Sequence, residues 1–150
     1  MNFKITTCSA AETKKVGRAL GLRLKPKDVV TLRGQLGSGK TTLVKGIAKG
    51  LGVRSEKEVA SPTFVLIHEY QGRFPVFHLD WYRLGRVEGP DEAFAEECFE
   101  GKGVTLVEWP ERGSAILPQE RIEVKILHRG PSSRNIQIRT IGDKYESFHL

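Results

Sequence analysis

One segment of eight residues, 34–41, constrains the fold of this chain more than any other part of the sequence. It reads Gly-Gln-Leu-Gly-Ser-Gly-Lys-Thr and fills every required position of the phosphate-binding pattern G-x-x-x-x-G-K-[ST]. The β-branched run at 29–32 predicts a buried parallel strand before it, and Leu43, Ile47 and Leu51 follow it at helical spacing. Because a strand, a glycine loop and a helix N-terminus form a cradle of backbone N–H groups, the segment predicts a phosphate site.

Two side chains of this loop supply the chemistry of a nucleoside triphosphate site. Lys40 is placed to reach the terminal phosphates, and the hydroxyl of Thr41 is placed to hold Mg²⁺. We therefore predict that the loop and the first helical turn bind the nucleotide. The predicted nucleotide-binding residues of this segment are Gly37, Ser38, Gly39, Lys40, Thr41 and Thr42.

Two carboxylates at the ends of predicted strands are candidates to complete this site. Asp80 follows the apolar stretch 76–79, and Glu108 follows the apolar stretch 104–107. Such strand ends face the ligand crevice in open α/β sheets, although a carboxylate there can also simply face solvent. One carboxylate would coordinate Mg²⁺, and the other would orient or deprotonate the attacking water. The residues alone leave this division of roles open.

Two further polar groups lie near the predicted site in sequence. Thr63 belongs to the turn Ser61-Pro62-Thr63, in the segment that often senses the γ-phosphate in nucleoside triphosphatases, so it is a candidate catalytic residue. An ordinary turn before a strand is the alternative. His78 shares a strand face with Asp80, and it fits either a base or a buried, hydrogen-bonded histidine.

The remaining pattern predicts one α/β domain over residues 1–150, with a mixed, largely parallel β-sheet flanked by helices. A capping box at Ser9 opens the first helix, and Asp91 is a plausible cap of the last. The first and last predicted helices cover residues 10–24 and 91–99, and the helix after the phosphate loop ends near the segment 50–52 (Gly-Leu-Gly). The predicted strands cover residues 3–6, 29–32, 64–70, 75–80, 104–107, 121–127 and 135–139.

Composition narrows the class of protein. No apolar run reaches the length of a membrane span, the first residues lack the apolar stretch of a signal peptide, and two cysteines are too few for a disulfide framework. We therefore expect no membrane association and a cytoplasmic location.

The charge is unevenly placed along the chain. Residues 1–57 carry 13 Lys and Arg against 3 Asp and Glu, a net +10, whereas residues 58–150 have a net charge of −4. The basic half suits an anionic nucleotide, a solvated face, or contact with RNA or an acidic partner. The acidic stretch 88–100 fits either a docking surface or, as the plainer interpretation, a solvated helix face.

Four segments together resemble one protein family. They are the phosphate loop through Thr42, the turn 61–64 (Ser-Pro-Thr-Phe), the segment 78–84 (His-x-Asp-x-Tyr-Arg-Leu) and the segment 107–110 (Val-Glu-Trp-Pro). In this order, over about residues 8–140, the chain is similar to the bacterial ATPase subunit of the tRNA threonylcarbamoyladenosine biosynthesis machinery, the TsaE type.

This resemblance implies a P-loop NTPase core, ATP and Mg²⁺ as its ligands, and slow ATP hydrolysis by the isolated subunit. It implies Thr41 and Glu108 as Mg²⁺ ligands and Asp80 as a residue needed for hydrolysis. It also implies that Thr63 lies in a switch-like segment and Arg134 near the nucleotide base. The implied partners are the threonylcarbamoyl transferase and its non-catalytic homologue, with tRNA reached through the complex, and the implied role is to support repeated modification of the adenosine next to the anticodon.

Two other functions remain open from the sequence. A small-molecule or nucleoside kinase would need an arginine-rich lid, for which Arg83 and Arg86 are the nearby pair. A non-catalytic adaptor would use ATP binding alone to control assembly.

Overall fold

Seven strands and three α-helices are present in a computed structural model that describes residues 1–55, 59 and 67–150. The strands of this part are β1 (Asn2–Thr7), β2 (Val29–Arg33), β3 (Ile67–Gln71), β4 (Pro75–Asp80), β5 (Val104–Glu108), β6 (Arg121–His128) and β7 (Arg134–Ile141). The helices are α1 (Ala10–Arg23), α2 (Lys40–Gly50) and α3 (Pro90–Glu100), with short 3-10 helices at Pro110–Ile116 and Asp143–Tyr145. Every predicted helix and strand has a counterpart here, although residues 64–66 of the third predicted strand lie outside the described residues.

The described strands form one seven-stranded sheet with the order β1-β7-β6-β2-β5-β4-β3. Strand β2 lies in the middle and pairs in parallel with β5 and β6, and β4 extends the parallel part beyond β5. Antiparallel pairing adds β7 and β1 on one side and β3 on the other. Among these strands β3 and β7 run against the other five, which confirms the expected α/β fold with a mixed, largely parallel sheet.

The two central strands are apolar because both of their faces are covered. All of β5 and the first four residues of β2 are buried. On one face, Val30 and Leu106 belong to the core that includes residues of α1 and α2. On the other face, Val29 and Val107 pack in a second cluster with Ala95 of α3. Burial on both sides is typical of parallel strands, whose sequences show apolar runs rather than alternation.

The start of α1 has the capping interactions that the sequence predicts. The Ser9 hydroxyl accepts a hydrogen bond from the backbone N–H of Glu12 (3.1 Å). The Glu12 carboxylate accepts in return from the backbone N–H of Cys8 (2.6 Å), one residue before the cap. Two N–H groups at the helix start are thereby satisfied.

The predicted cap of α3 is wrong. The helix begins at Pro90, and Gly89 takes the cap position with a φ of 63° and no capping side chain. Proline suits the first helical position because it lacks an N–H and its φ is already helical. Asp91 therefore lies in the first turn, where its charge still interacts favourably with the helix dipole. None of the described helices is long and apolar enough to cross a bilayer.

Glycines let α1 and α2 approach each other closely. A Cβ added at Gly17 would overlap the backbone around Leu43, and one added at Gly46 would overlap the carbonyl oxygen of Lys14. Since α2 begins at the phosphate loop, this contact fixes the helix that carries the site against its neighbour.

We expect Gly46→Ala to destabilise the protein by about 1–3 kcal/mol, because the methyl group must push two helix backbones apart. Alanine is intrinsically about 1 kcal/mol better than glycine inside a helix, so a net loss would measure a clash larger than that gain. Urea denaturation would measure the free energy of unfolding. Gly85→Ala is the matched control, since its added methyl meets nothing within 4 Å and should change stability by less than about 0.5 kcal/mol. An unchanged or higher stability of Gly46→Ala would contradict the packing argument.

Candidate functional site

The candidate site lies where three parallel strands end at the same edge of the sheet. Strand β2 leads into the phosphate loop, β4 ends at Asp80, and β5 ends at Glu108. Glu108 is in register with Asp80 on one side and with Leu32 on the other. A cavity of about 350 Å³ opens at this edge. It is lined by Leu36, Gly37, Gly39, Lys40, Thr41, Thr42, Asp80, Tyr82, Glu108, Trp109 and Arg134.

The phosphate loop has the backbone shape that its glycines allow. Gly37 has a φ of 75° and Gly39 a φ of 104°, both in the left-handed region that favours glycine. Gly39 occupies the cap position of α2 and gives it no side-chain cap, so the first N–H groups of the helix remain available to an anion. The buried Oγ of Ser38 has no hydrogen-bond partner. The open N–H groups at the start of α2 fit a loop that receives phosphate.

The side chain of Lys40 is held inside the site. Its Nζ donates to the carbonyl oxygen of Gly34 (2.6 Å) and lies 4.2 Å from the ring centroid of Trp109. Burial lowers the pKa of Lys40, and the charges of Glu108 and Asp80 oppose that change. The ammonium group thus lies close to the two carboxylates, where phosphate would also be attracted to it.

The two carboxylates are buried but have different partners. An Asp80 carboxylate oxygen accepts a hydrogen bond from the backbone N–H of Tyr82 (2.9 Å). Burial raises the pKa of Asp80, the Tyr82 N–H opposes this, and the charge of Glu108 adds to it. Glu108 pairs instead with a side chain, since its Oε2 lies 2.6 Å from Nε2 of His78.

His78 is a buried, hydrogen-bonded histidine, which was one of the two interpretations of the sequence. Its exposed fraction is 1%, and its second ring nitrogen, Nδ1, lies 3.1 Å from the hydroxyl of Tyr70. His78 therefore connects Glu108 to the edge strand β3. Nothing in the sequence pattern singles out Tyr70, because its contact depends on the register of β3 against β4.

Trp109 forms a wall of the site in an uncommon backbone conformation. Its φ of 57° and ψ of 51° are left-handed, which is rare for a large side chain. The conformation turns the chain from β5 into the 3-10 helix that starts at Pro110. The Trp109 ring then packs against Tyr82 with ring centroids 4.9 Å apart.

The hairpin of β6 and β7 contacts the phosphate loop from the opposite side. Arg134 donates from Nε to the carbonyl oxygen of Ser38 (2.7 Å). His128, its partner across the two strands, forms a hydrogen bond with the carbonyl oxygen of Gly37. Sequence reasoning missed His128, since its position beside the loop follows only from this strand pairing.

Most of the predicted site residues thus lie together in the described part of the structure. Ser38 is buried within the loop, and Thr63 lies outside the described residues. The other predicted site residues line the cavity, namely Gly37, Gly39, Lys40, Thr41, Thr42, Asp80, Glu108 and Arg134. In the described part of the chain no three His, Cys, Asp or Glu side chains are grouped to hold a metal. The donors around the loop, a hydroxyl and two carboxylates, fit a Mg²⁺ ion that takes further oxygens from phosphate.

Residues 7–136 match a family model described as "Threonylcarbamoyl adenosine biosynthesis protein TsaE". The chain belongs to the TsaE family. The Bacillus subtilis protein "tRNA threonylcarbamoyladenosine biosynthesis protein TsaE" is 41% identical over 145 residues, 96% of this chain and 89% of the relative. The protein of the same name from Treponema pallidum is 38% identical over 130 residues, 87% of this chain and 95% of that protein.

The fold comparison agrees with this membership. The crystal structure of Bacillus subtilis YdiB superposes with a TM-score of 0.80 at 38% identity, covering 98% of this chain and 90% of that one. The family resemblance inferred from the sequence motifs is thereby confirmed.

We expect Asp80→Asn to raise the free energy of unfolding of this TsaE-family protein at neutral pH. The raised pKa of Asp80 means that its charge opposes folding above the folded-state pKa, and this cost disappears below the ordinary value of 3.8. Asparagine keeps the acceptor for the Tyr82 N–H and removes the charge. The stabilisation should therefore shrink as the pH falls, which urea denaturation between pH 4 and 8 would measure.

Glu123→Gln is a control for which the opposite change in the free energy of unfolding is expected. Burial alone would raise the pKa of Glu123, but hydrogen bonds and charge from Arg139 and Arg121 lower it overall. Its carboxylate therefore stabilises the fold above the ordinary pKa of 4.5, and the substitution should destabilise at neutral pH. If Asp80→Asn also destabilised the protein at pH 7, burial would not be the dominant influence on Asp80.

Proposed function

We propose that this protein is a Mg²⁺-dependent ATPase subunit of the cytoplasmic machinery that forms threonylcarbamoyladenosine next to the anticodon of tRNA. Membership of the TsaE family, whose named relatives are tRNA threonylcarbamoyladenosine biosynthesis proteins, supports the pathway. The convergence of Lys40 and Thr41 with Asp80 and Glu108 on one cavity supports ATP binding and hydrolysis. The proposed role is to allow repeated turnover of the transferase.

Each group of residues at the cavity has a separate role in the proposed reaction. The backbone N–H groups of the loop and Lys40 bind the terminal phosphates. Thr41 and Glu108 hold Mg²⁺, which when bound supplies positive charge to the phosphate oxygens. Asp80 accepts a hydrogen bond from the attacking water. One oxygen of Asp80 is occupied by the Tyr82 N–H, so the other is left for that water.

The environment of Asp80 suits this task. Burial raises the pKa of Asp80, which makes the carboxylate a stronger proton acceptor than an exposed aspartate. Trp109 and Tyr82 pack against each other, and both line the cavity beside Asp80.

The arginine content of the cavity supports the proposal that the isolated subunit hydrolyses ATP slowly. Phosphoryl transfer is accelerated strongly by an arginine that stabilises charge in the transition state. Among the described residues that line the cavity, Arg134 is the single arginine. Its Nε donates to the Ser38 carbonyl, and one of its terminal nitrogens donates to the Ser133 carbonyl (2.9 Å). We therefore propose that activation comes from partners, the threonylcarbamoyl transferase and its non-catalytic homologue, with tRNA reached through that complex.

The kinase alternative receives less support. Arg83 and Arg86, the pair considered for a lid, are exposed and do not line the cavity. The adaptor alternative shares the binding site with the ATPase, so only a hydrolysis measurement separates the two.

We expect Lys40→Ala to lower ATP turnover by at least about 100-fold, because the loss of one preorganised charge on the transferring phosphate has an effect of this order. ATP hydrolysis would be measured with the chain alone and with the two partner subunits and tRNA. Lys49→Ala is the matched control, since Lys49 is an exposed lysine on the same helix and should leave turnover unchanged. Normal turnover in Lys40→Ala would refute the proposed site.

A second variant separates the ATPase from the adaptor. Asp80→Ala should retain ATP binding and lose hydrolysis together with multiple rounds of tRNA modification. If this variant bound ATP and still supported repeated modification, hydrolysis would not be needed and the adaptor would be favoured. Phosphate transfer to a small acceptor, detected by product mass, would favour the kinase instead.

A further inference from the structure

Three buried side chains on neighbouring strands form a continuous chain of hydrogen bonds that ends at the candidate site. Tyr70 lies on β3, His78 on β4 and Glu108 on β5. The Tyr70 hydroxyl is 3.1 Å from Nδ1 of His78, and Nε2 of His78 is 2.6 Å from Oε2 of Glu108. Each residue is at most 3% exposed. The proposed ATPase chemistry makes no direct use of Tyr70 or His78, so their arrangement needs its own explanation.

The direction of the hydrogen bonds follows from the chemistry of the groups. An ionised carboxylate can only accept, so Nε2 of His78 carries the hydrogen that Glu108 receives. Burial, followed by the charge of Glu108, raises the pKa of Tyr70 to about 12, so its hydroxyl stays protonated. That hydroxyl can donate to Nδ1, which fixes the tautomer of the ring. In the neutral tautomer with the hydrogen on Nε2, donation runs from Tyr70 through His78 to Glu108.

We propose that Tyr70 and His78 are positioning residues that hold the Glu108 carboxylate in one orientation for Mg²⁺ binding. His78 engages Oε2 of Glu108, and Glu108 lines the cavity, so Oε1 is the oxygen that would meet the metal ion. Removing a side chain that orients a metal ligand through a hydrogen bond typically lowers metal affinity 10- to 100-fold. The inference rests on the proposed function, because it takes Glu108 as a ligand of Mg²⁺ bound with nucleotide.

The contrast with Asp80 supports a specific role for the pair. Asp80 is anchored by a backbone N–H, which any residue at position 82 except proline would supply. Glu108 is instead anchored by the buried side chain of His78, which in turn is hydrogen-bonded to Tyr70, a residue of the main apolar core. His68 also stacks on the Tyr70 ring, with ring centroids 6.0 Å apart, but it is more exposed and lies outside the hydrogen-bonded chain. His68 is therefore a suitable control.

The first test is spectroscopic and needs no nucleotide. Nitrogen-15 NMR of the full chain should assign the Nε2–H tautomer to His78, and Tyr70→Phe should shift the Nδ1 resonance by removing its donor. His68→Gln, which changes the neighbour opposite His78 on the paired strand but no member of the hydrogen-bonded chain, should leave the Nε2–H tautomer of His78 unchanged. A wild-type His78 with its hydrogen on Nδ1 and none on Nε2 would overturn the proposal.

The second test measures how much Mg²⁺ is needed for nucleotide binding. Calorimetry with the non-hydrolysable analogue AMP-PNP, over a series of Mg²⁺ concentrations, would give the half-saturating Mg²⁺ and the affinity without metal. His78→Leu should raise the half-saturating Mg²⁺ about tenfold and leave the metal-free affinity unchanged. His78→Gln, which keeps an N–H donor, should recover part of that loss, and His68→Gln should match the wild type.

Tyr70→Phe keeps the test decisive if His78→Leu does not fold, because it removes only a hydroxyl. It should raise the half-saturating Mg²⁺ in the same direction by a smaller factor. Wild-type Mg²⁺ dependence in the folded His78 and Tyr70 variants would overturn the positioning role. If the wild-type protein bound no nucleotide at any Mg²⁺ concentration, the proposed function itself would fail, and the tautomer measurement would still report on the hydrogen-bonded chain.

Discussion

The parallel pairing of β2, β5 and β4 is the constraint on which the rest of the site depends. Parallel strands in register end at the same edge, so Glu108 lies between Asp80 and the strand that leads into the phosphate loop. Each of these groups alone is an ordinary feature of a strand end. Their alignment brings them to one cavity. A shift of the strand register by one residue would remove this arrangement, because it would turn the carboxylates to the opposite face of the sheet. The apolar clusters on both sides of the sheet hold that register in place.

The fold holds two buried charges and one strained backbone conformation at the site. The pKa of Lys40 is lowered and that of Asp80 is raised, and burial is the largest cause in both cases. Each of these charges would therefore be more stable in water than it is in the site. The left-handed backbone of Trp109 adds strain of about 1–3 kcal/mol. Mutual attraction between Lys40 and the two carboxylates offsets part of this cost. Several unfavourable groups thus meet at one cavity, which is typical of a site under functional constraint.

The sequence predicts those parts of the molecule that depend on local pattern. The phosphate loop, Asp80 and Glu108 could be identified because a motif or a strand end marks each position, and the strand alternation gave the mixed sheet. Tyr70 and His128 could not be identified, because each reaches the site through the register of an antiparallel pair, which no short segment encodes. The predicted cap of α3 is wrong for a local reason. The known preference for acidic capping side chains favours Asp91, but the cap position is taken by Gly89, which has a positive φ. Thr63 stays a prediction.

The unequal anchoring of the two carboxylates bears on the roles that the sequence left open. A metal ligand benefits from a fixed orientation, because an ion selects for distance and angle, whereas a group that orients water benefits from basicity. Glu108 is held by a buried side chain that is itself held by another, and Asp80 is held by one backbone N–H and has a raised pKa. The first arrangement suits coordination of Mg²⁺, and the second suits activation of water. His128 and Arg134 of the hairpin engage two carbonyl oxygens of the loop. In a trans peptide unit the N–H points away from the carbonyl group, so these contacts are compatible with a loop whose N–H groups would face a phosphate.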